Sequence, residues 1–129
     1  MVLMLQREAV DRMWARHGTK NYNALSIFLQ LAFENIRSHP VSRQCFFPAP
    51  SVDSILAGID RIPDPFLFSQ SDRALIRRIF TQRRKQIGSI ARQEKDFECQ
   101  RIEAWLAQNK LERTLRPEQI EPRIWKNLS

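Results

Sequence analysis

Apolar positions along this chain change their spacing near residue 63. Before that point short apolar runs alternate with helical stripes, and after it the spacing is helical throughout. Val2-Leu3-Met4-Leu5 is a continuous apolar run, which predicts a strand buried on both faces. Between Arg7 and Arg16, Val10, Met13 and Trp14 stand at i, i+3 and i+4, the one-sided stripe of a surface helix. His17-Gly18-Thr19-Lys20-Asn21 ends that pattern. A second helical stretch begins near Asn23 or Ala24 and carries Leu25, Phe28, Leu29 and Leu31. Val52-Asp53-Ser54-Ile55-Leu56 is strand-like, and Pro63-Asp64-Pro65 marks a domain boundary.

Beyond Pro63 the stripes predict a helical unit. Ser69 or Ser71 can cap a helix whose apolar positions are Leu75, Ile76, Ile79 and Phe80. The pattern resumes at Ile87, Ile90 and Ala91 after a break near Gln82. A third helix is expected from about Phe97 to Gln108, with Ile102, Trp105 and Leu106 inward. Pro122 suits the first turn of a last helix holding Ile124, Trp125 and Leu128. Trp105 and Trp125 are read as core residues.

Composition narrows the function classes. The 129 residues suit one compact domain or parts of two, and 43% hydrophobic residues are enough to bury a core. Cys45 and Cys99 have no CxxC spacing and His17 and His39 are scattered, so no metal site is expected. No apolar run approaches a membrane span of roughly 18 residues, and the N-terminus has no signal-peptide pattern, so a cytoplasmic location is expected.

The formal net charge is +7, and residues 73–92 hold seven cations without an acid: Arg73, Arg77, Arg78, Arg83, Arg84, Lys85 and Arg92. Arg78, Lys85 and Arg92 are spaced by seven and would share a face on a continuous helix. A solvated helical face usually mixes signs, because like charges at i, i+4 repel. An unmixed run suggests a polyanion, with RNA phosphates as candidate partners of Arg77, Arg78, Arg83, Arg84, Lys85 and Arg92. The competing readings are a solvated face, or arginines packed against the sheet region.

Residues 46–54 read Phe-Phe-Pro-Ala-Pro-Ser-Val-Asp-Ser. Pro48 and Pro50 each fix φ and push the preceding residue toward extended backbone. A stiff loop holds an aromatic ring at low entropic cost, as stacking on a nucleobase requires. The plainer alternative is a proline-stiffened loop with two core phenylalanines.

The pattern Phe-x-Pro-x-Pro-x-Val-x-Ser resembles the motif of ribosomal RNA adenine dimethyltransferases. Met1-Val2-Leu3-Met4-Leu5-Gln6-Arg7-Glu8 is similar to that family's strand-into-helix segment after the catalytic loop. Tyr22-Asn23-Ala24-Leu25-Ser26 resembles its Tyr-x-x-Leu-Ser, and Gln82-Arg83-Arg84-Lys85 its Gln-Arg-Arg-Lys. Arg116-Pro117-Glu118-Gln119-Ile120 is similar to its Arg-x-Glu-x-Leu segment. These signals follow the family's order from residue 1 to about residue 128.

The resemblance implies an α/β plus all-α chain. Residues 1–62 would be the C-terminal flank of a class I, Rossmann-like methyltransferase sheet (strand, helix, helix, two strands), with strands at about 32–38 and 52–62. Residues 63–129 would be a small helical domain that docks on ribosomal RNA. The intact family enzyme takes methyl groups from S-adenosyl-L-methionine and modifies adenines of small-subunit ribosomal RNA in the 30S-type subunit. Phe46 would stack on the target adenine, and Phe47 would face the core.

The family's Gly-rich cofactor turn has no counterpart here, since Gly18, Gly58 and Gly88 lie far apart. None of the seven prolines sits in the context of its Asn/Asp-Leu/Ile-Pro-Tyr/Phe catalytic loop, and Tyr22 is the only tyrosine. The chain is therefore expected to be a C-terminal half, binding no S-adenosyl-L-methionine and inactive alone, with the missing N-terminal half as a further partner. Two rival readings are a non-catalytic RNA-binding module and the related macrolide-resistance type of large-subunit ribosomal RNA methyltransferase. Gln82-Arg83-Arg84-Lys85 and Tyr22-x-x-Leu25-Ser26 favour the small-subunit group.

Overall fold

The computed structural model describes residues 2–41 and 54–129. Its elements follow the order β1 (Val2–Gln6), α1 (Arg7–Met13), α2 (Ala24–Gln30), β2 (Phe33–Val41), β3 (Ser54–Arg61), α3 (Gln70–Phe80), α4 (Ile87–Gln93), α5 (Asp96–Gln108) and α6 (Pro122–Lys126), with a 3-10 turn at Pro117–Gln119 before α6. Among the described residues the three strands form one sheet in the order β1-β3-β2, antiparallel throughout. Its β2–β3 register shifts by one residue between Asn35 and Arg37.

β1 departs from the sequence expectation. Leu3 and Leu5 pack with Val10, Ala57 and Ile59, where α1 covers the sheet. On the other face Val2 is 70% and Met4 52% exposed. Val2, His39, Leu56 and Gly58 line a shallow hollow of about 270 Å³ on that face. β1 is an edge strand among the described residues, so an all-apolar run is buried on one face only.

The helices follow their stripes. Ser69 rather than Ser71 caps α3, its hydroxyl accepting from the Asp72 amide at 3.2 Å. Leu75, Ile76, Ile79 and Phe80 then face inward. The break expected near Gln82 is a turn over residues 81–86 that separates α3 from α4. Arg78, Lys85 and Arg92 therefore do not share one helical face. α5 is tied to α3 by Arg101, which donates to Asp72 at 2.6 Å and to the Leu128 carbonyl at 2.8 Å.

The main core crosses Pro63. Tyr22, Ala24, Ile27 and Leu31 pack with Leu75, Ile79, Ile87, Ile90, Ile102, Trp105 and Trp125. Trp105 and Trp125 lie with ring centroids 4.9 Å apart, and Phe80 stands 5.4 Å from Trp125. The 62–66 connection is stitched to the end of α2, Ile62 donating to the Ala32 carbonyl and Phe66 to that of Leu31. α2 thus belongs to the helical core, although it precedes β2 and β3 in the chain.

Candidate nucleic-acid interface

Three segments distant in sequence meet beside this core. The first is residues 17–26. Gly18 has φ +86°, a conformation that favours glycine, and its amide donates to the Glu118 carbonyl. Tyr22 is fully buried and its hydroxyl donates to the Ile120 carbonyl at 2.7 Å. Burial pushes the Tyr22 phenol well above its ordinary pKa, and the nearby Glu121 carboxylate adds to that. Asn23 and Ser26 form a reciprocal capping box at the start of α2, each side chain accepting from the other's amide at 3.2 Å. The Ser26 hydroxyl also donates to the Arg12 carbonyl. The Tyr-x-x-Leu-Ser pattern therefore joins α1, α2 and the C-terminal segment, while Leu25 stays 44% exposed.

The second segment is Arg116–Ile120. Pro117 opens the 3-10 turn, and Gln119 accepts the Arg116 amide at 2.8 Å. The third is the 81–86 turn. From it Arg83 donates to the Glu118 carboxylate at 2.7 Å and to the Thr19 carbonyl at 3.1 Å.

Together the segments border an open cleft of about 600 Å³ lined by Glu8, Arg12, Lys20, Asn21, Asn23, Arg83, Arg84, Arg116 and Glu118. Both carboxylates are engaged, Glu8 with Arg12 at 2.8 Å and Glu118 with Arg83. No carboxylate among the described residues pairs with Lys20, Arg84 or Arg116. The cleft thus has three unmatched cations beside two asparagine amides, a polar lining suited to an anion that keeps much of its hydration.

The basic run is divided by this geometry. Arg83 and Arg84 line the cleft, and Lys85 is exposed on the same turn. Arg77 lies over the Phe28 ring at 5.6 Å, and Arg78 pairs with Glu94 at 3.3 Å. Arg92 acts together with Arg113 on Glu103, whose carboxyl is held below its ordinary pKa chiefly by the Arg113 hydrogen bond. Sequence density alone missed Lys20 and Arg116. The available signal was position, Arg116 heading the Arg-x-Glu-x-Leu-like segment and Lys20 standing just before Tyr-x-x-Leu-Ser.

Phe46 and Phe47 lie outside the described residues, as do Cys45, Pro48 and Pro50. Val41 and Ser54, which flank that region, pair in the sheet, and Ser54 also pairs with Gln6 at the end of β1. Glu8, two residues beyond Gln6, lines the cleft.

The glycines do not suit a nucleotide cofactor. Gly18 lies in the loop after α1, Gly58 within β3, and Gly88 in α4, where a Cβ would come within 2.9 Å of Arg113 Cβ. None opens a strand-to-helix turn of the kind that cradles S-adenosylmethionine. Among the described residues no cluster of His, Cys, Asp and Glu could hold a metal ion, and no helix is long and apolar enough to cross a membrane.

Comparison with known proteins gives consistent relatives. The family described as "Ribosomal RNA adenine dimethylase" matches residues 1–117. The chain is 44% identical over 131 residues to the ribosomal RNA small subunit methyltransferase A of Opitutus terrae, covering 99% of this chain and 46% of that protein. It is 34% identical over 126 residues to the protein of the same name from Malacoplasma penetrans, covering 96% and 45%. The chain thus spans about half the length of these curated relatives. Among solved structures, a dimethyladenosine transferase from Plasmodium falciparum matches with a TM-score of 0.72 at 23% identity, covering 98% of this chain and 54% of that one. The 23S rRNA methyltransferase ErmE matches with a TM-score of 0.51 at 20% identity, covering 98% and 52%. These two structures speak to the fold: a methyltransferase fold with a small antiparallel sheet and helices.

Proposed function

The chain belongs to the ribosomal RNA adenine dimethylase family, and from that membership we propose that it serves N6,N6-dimethylation of adenine in small-subunit ribosomal RNA. Its own contribution is RNA docking and base positioning. The observation that carries this reading is the cleft in which Lys20, Arg84 and Arg116 converge without matching carboxylates. Phosphate contacts of this kind orient an RNA by its backbone and leave its bases unread. Lys85 extends the surface, Arg77 and Arg92 supply outlying positive charge, and the charge of Arg78 is offset by Glu94.

In this reading the sheet is the C-terminal flank of a class I, Rossmann-like methyltransferase sheet, and residues 63–129 dock on RNA together with the loop that carries Lys20. S-adenosylmethionine supplies an electrophilic methyl group in such chemistry. The described residues do not fit that cofactor, so no methyl-transfer step is assigned to them. The part of the relatives' length not matched here is the natural partner of the β1 edge, which pairs with no second strand among the described residues. Val2-Leu3-Met4-Leu5-Gln6 is uncharged and lacks proline, whereas unpaired edges are ordinarily protected by lysine or proline. Val2 and Met4 keep 70% and 52% of their surface exposed on the adjoining sheet face, so a partner that also covered that face would contribute about 1–2 kcal/mol for each side chain. Phe46 is the ring that stacks on the target adenine, and the setting is the cytoplasm, where ribosomal subunits are assembled.

The macrolide-resistance alternative is less supported, since both curated relatives carry small-subunit names. The test is a titration of the chain against purified bacterial small and large ribosomal subunits across a salt series. The small subunit is expected to bind more tightly, with affinity falling steeply as salt rises. Arg84→Gln with Lys85→Gln should flatten the slope of log K against log salt by about 0.7–0.9 for each phosphate no longer neutralised. Equal affinity for both subunits, or binding indifferent to salt, would overturn the proposal.

A further inference from the structure

We propose that Arg83 is a positioning residue in RNA docking, held by Glu118, and not itself a phosphate contact. The inference rests on the docking role proposed above and assigns a different task to one member of the basic cluster. Arg83 and Glu118 are about three-quarters shielded, with side-chain exposures of 26% and 24%. The guanidinium has donors and no acceptor, and its Nη2 is directed at two acceptors, Glu118 Oε2 and the Thr19 carbonyl. Glu118 is held a second time, because its own carbonyl accepts from Gly18. One ion pair thereby ties the 17–20 loop, the 81–86 turn and the 116–120 segment together.

Each tied segment places one unmatched cation in the cleft, close to its tie. Lys20 follows Thr19, Arg84 follows Arg83, and Arg116 stands two residues before Glu118. The clamp thus fixes the spacing of the three cations that face the cleft. Redirecting Arg83 to a phosphate would break its ion pair and leave a bare carboxylate in a cleft meant for an anion. Removing one partner from a shielded pair is costly for that reason. Held by Arg83, the Glu118 charge is neutralised where it would otherwise repel RNA.

The test turns on a sign. Glu118→Ala deletes a negative charge from a basic cleft, so charge alone would raise affinity for RNA. Loss of the clamp should lower it instead, by roughly threefold or more, the scale of coupling between contacting groups. The probe is purified bacterial small ribosomal subunits, titrated with the full chain at several salt concentrations. The paired exchange Arg83→Glu with Glu118→Arg should restore affinity to within about twofold and return the salt slope, since phosphate-contacting cations are unchanged. Arg83→Glu alone should bind poorly. Melting curves of each variant separate lost docking from lost folding, and the exchange remains decisive if Glu118→Ala unfolds. Higher affinity for Glu118→Ala, or an exchange variant as weak as Arg83→Glu alone, would overturn the positioning role. If the unsubstituted chain had no affinity for the subunit, the docking proposal would fall first and this inference with it.

Discussion

The Tyr22 hydroxyl donates a 2.7 Å hydrogen bond to the carbonyl of Ile120, 98 residues further along the chain. The same carbonyl accepts from Trp125 Nε1 at 3.0 Å, so one backbone oxygen joins the loop before α2 to the last helix. Phe80 of α3 packs edge-on against the Tyr22 ring at 5.9 Å. Through this contact the cleft-forming loop is anchored in the helical core rather than in the sheet.

Tyr22→Phe should lower stability by about 1 kcal/mol, a modest loss because Ile120 keeps its bond from Trp125. The phenol adds a pH dependence of known sign. Burial, with Glu121, raises its folded-state pKa, so the folded chain retains a proton that the unfolded chain loses near pH 10. Stability from this group is complete below about pH 10 and declines as pH rises further. Tyr22 is the only tyrosine. Tyrosinate absorbance should therefore appear together with unfolding, and a titration near pH 10 in the folded protein would contradict the burial.

Gly88→Ala should destabilise the chain by roughly 1–3 kcal/mol, the range for overpacking a close contact. An added Cβ would stand 2.9 Å from Arg113 Cβ and 3.1 Å from the Arg113 carbonyl. That carbonyl is itself fixed by the Gly88 amide at 2.9 Å. Chemical denaturation is the measurement, and an unchanged midpoint would mean that α4 can move off the 113–115 segment freely.

Lys110→Gly should raise stability by about 0.5–1 kcal/mol. Lys110 has φ 53° just after α5, where Leu111 donates to the Leu106 carbonyl and Lys110 to that of Ala107. This is a Schellman end in which glycine carries no steric cost. A lower melting temperature for the glycine variant would show that the lysine side chain contributes more than its backbone conformation costs.

Much of the helical part was legible because its cues are local. The α3 stripe, the Ser69 cap, the break near Gln82 and Pro122 at the head of α6 each depend on neighbours within a few residues. The exposed face of β1 was not legible, because a continuous apolar run reads as two-sided burial whatever lies beside it. Nor was the division of the basic run. Arg83 finds its partner 35 residues away, and Arg78 finds Glu94 16 residues away, distances at which spacing rules give no signal. The core across Pro63 is a similar case. Proline punctuation marks where a chain turns, whereas packing decides which helices share an interior. Phe46 rests on the motif and awaits a direct test.

That test is a hybrid enzyme. The matching portion of the Opitutus terrae relative is replaced by this chain, and N6,N6-dimethyladenosine is measured in small-subunit ribosomal RNA by mass spectrometry. The hybrid should dimethylate adenine. Phe46→Ala should abolish most of the product while leaving subunit binding nearly intact, since stacking is worth roughly 1–3 kcal/mol per base and acts at the reacting centre. Phe47→Ala should instead lower the melting temperature. A folded hybrid that binds S-adenosylmethionine and the small subunit yet forms no dimethyladenosine, or modifies only large-subunit RNA, would contradict the account.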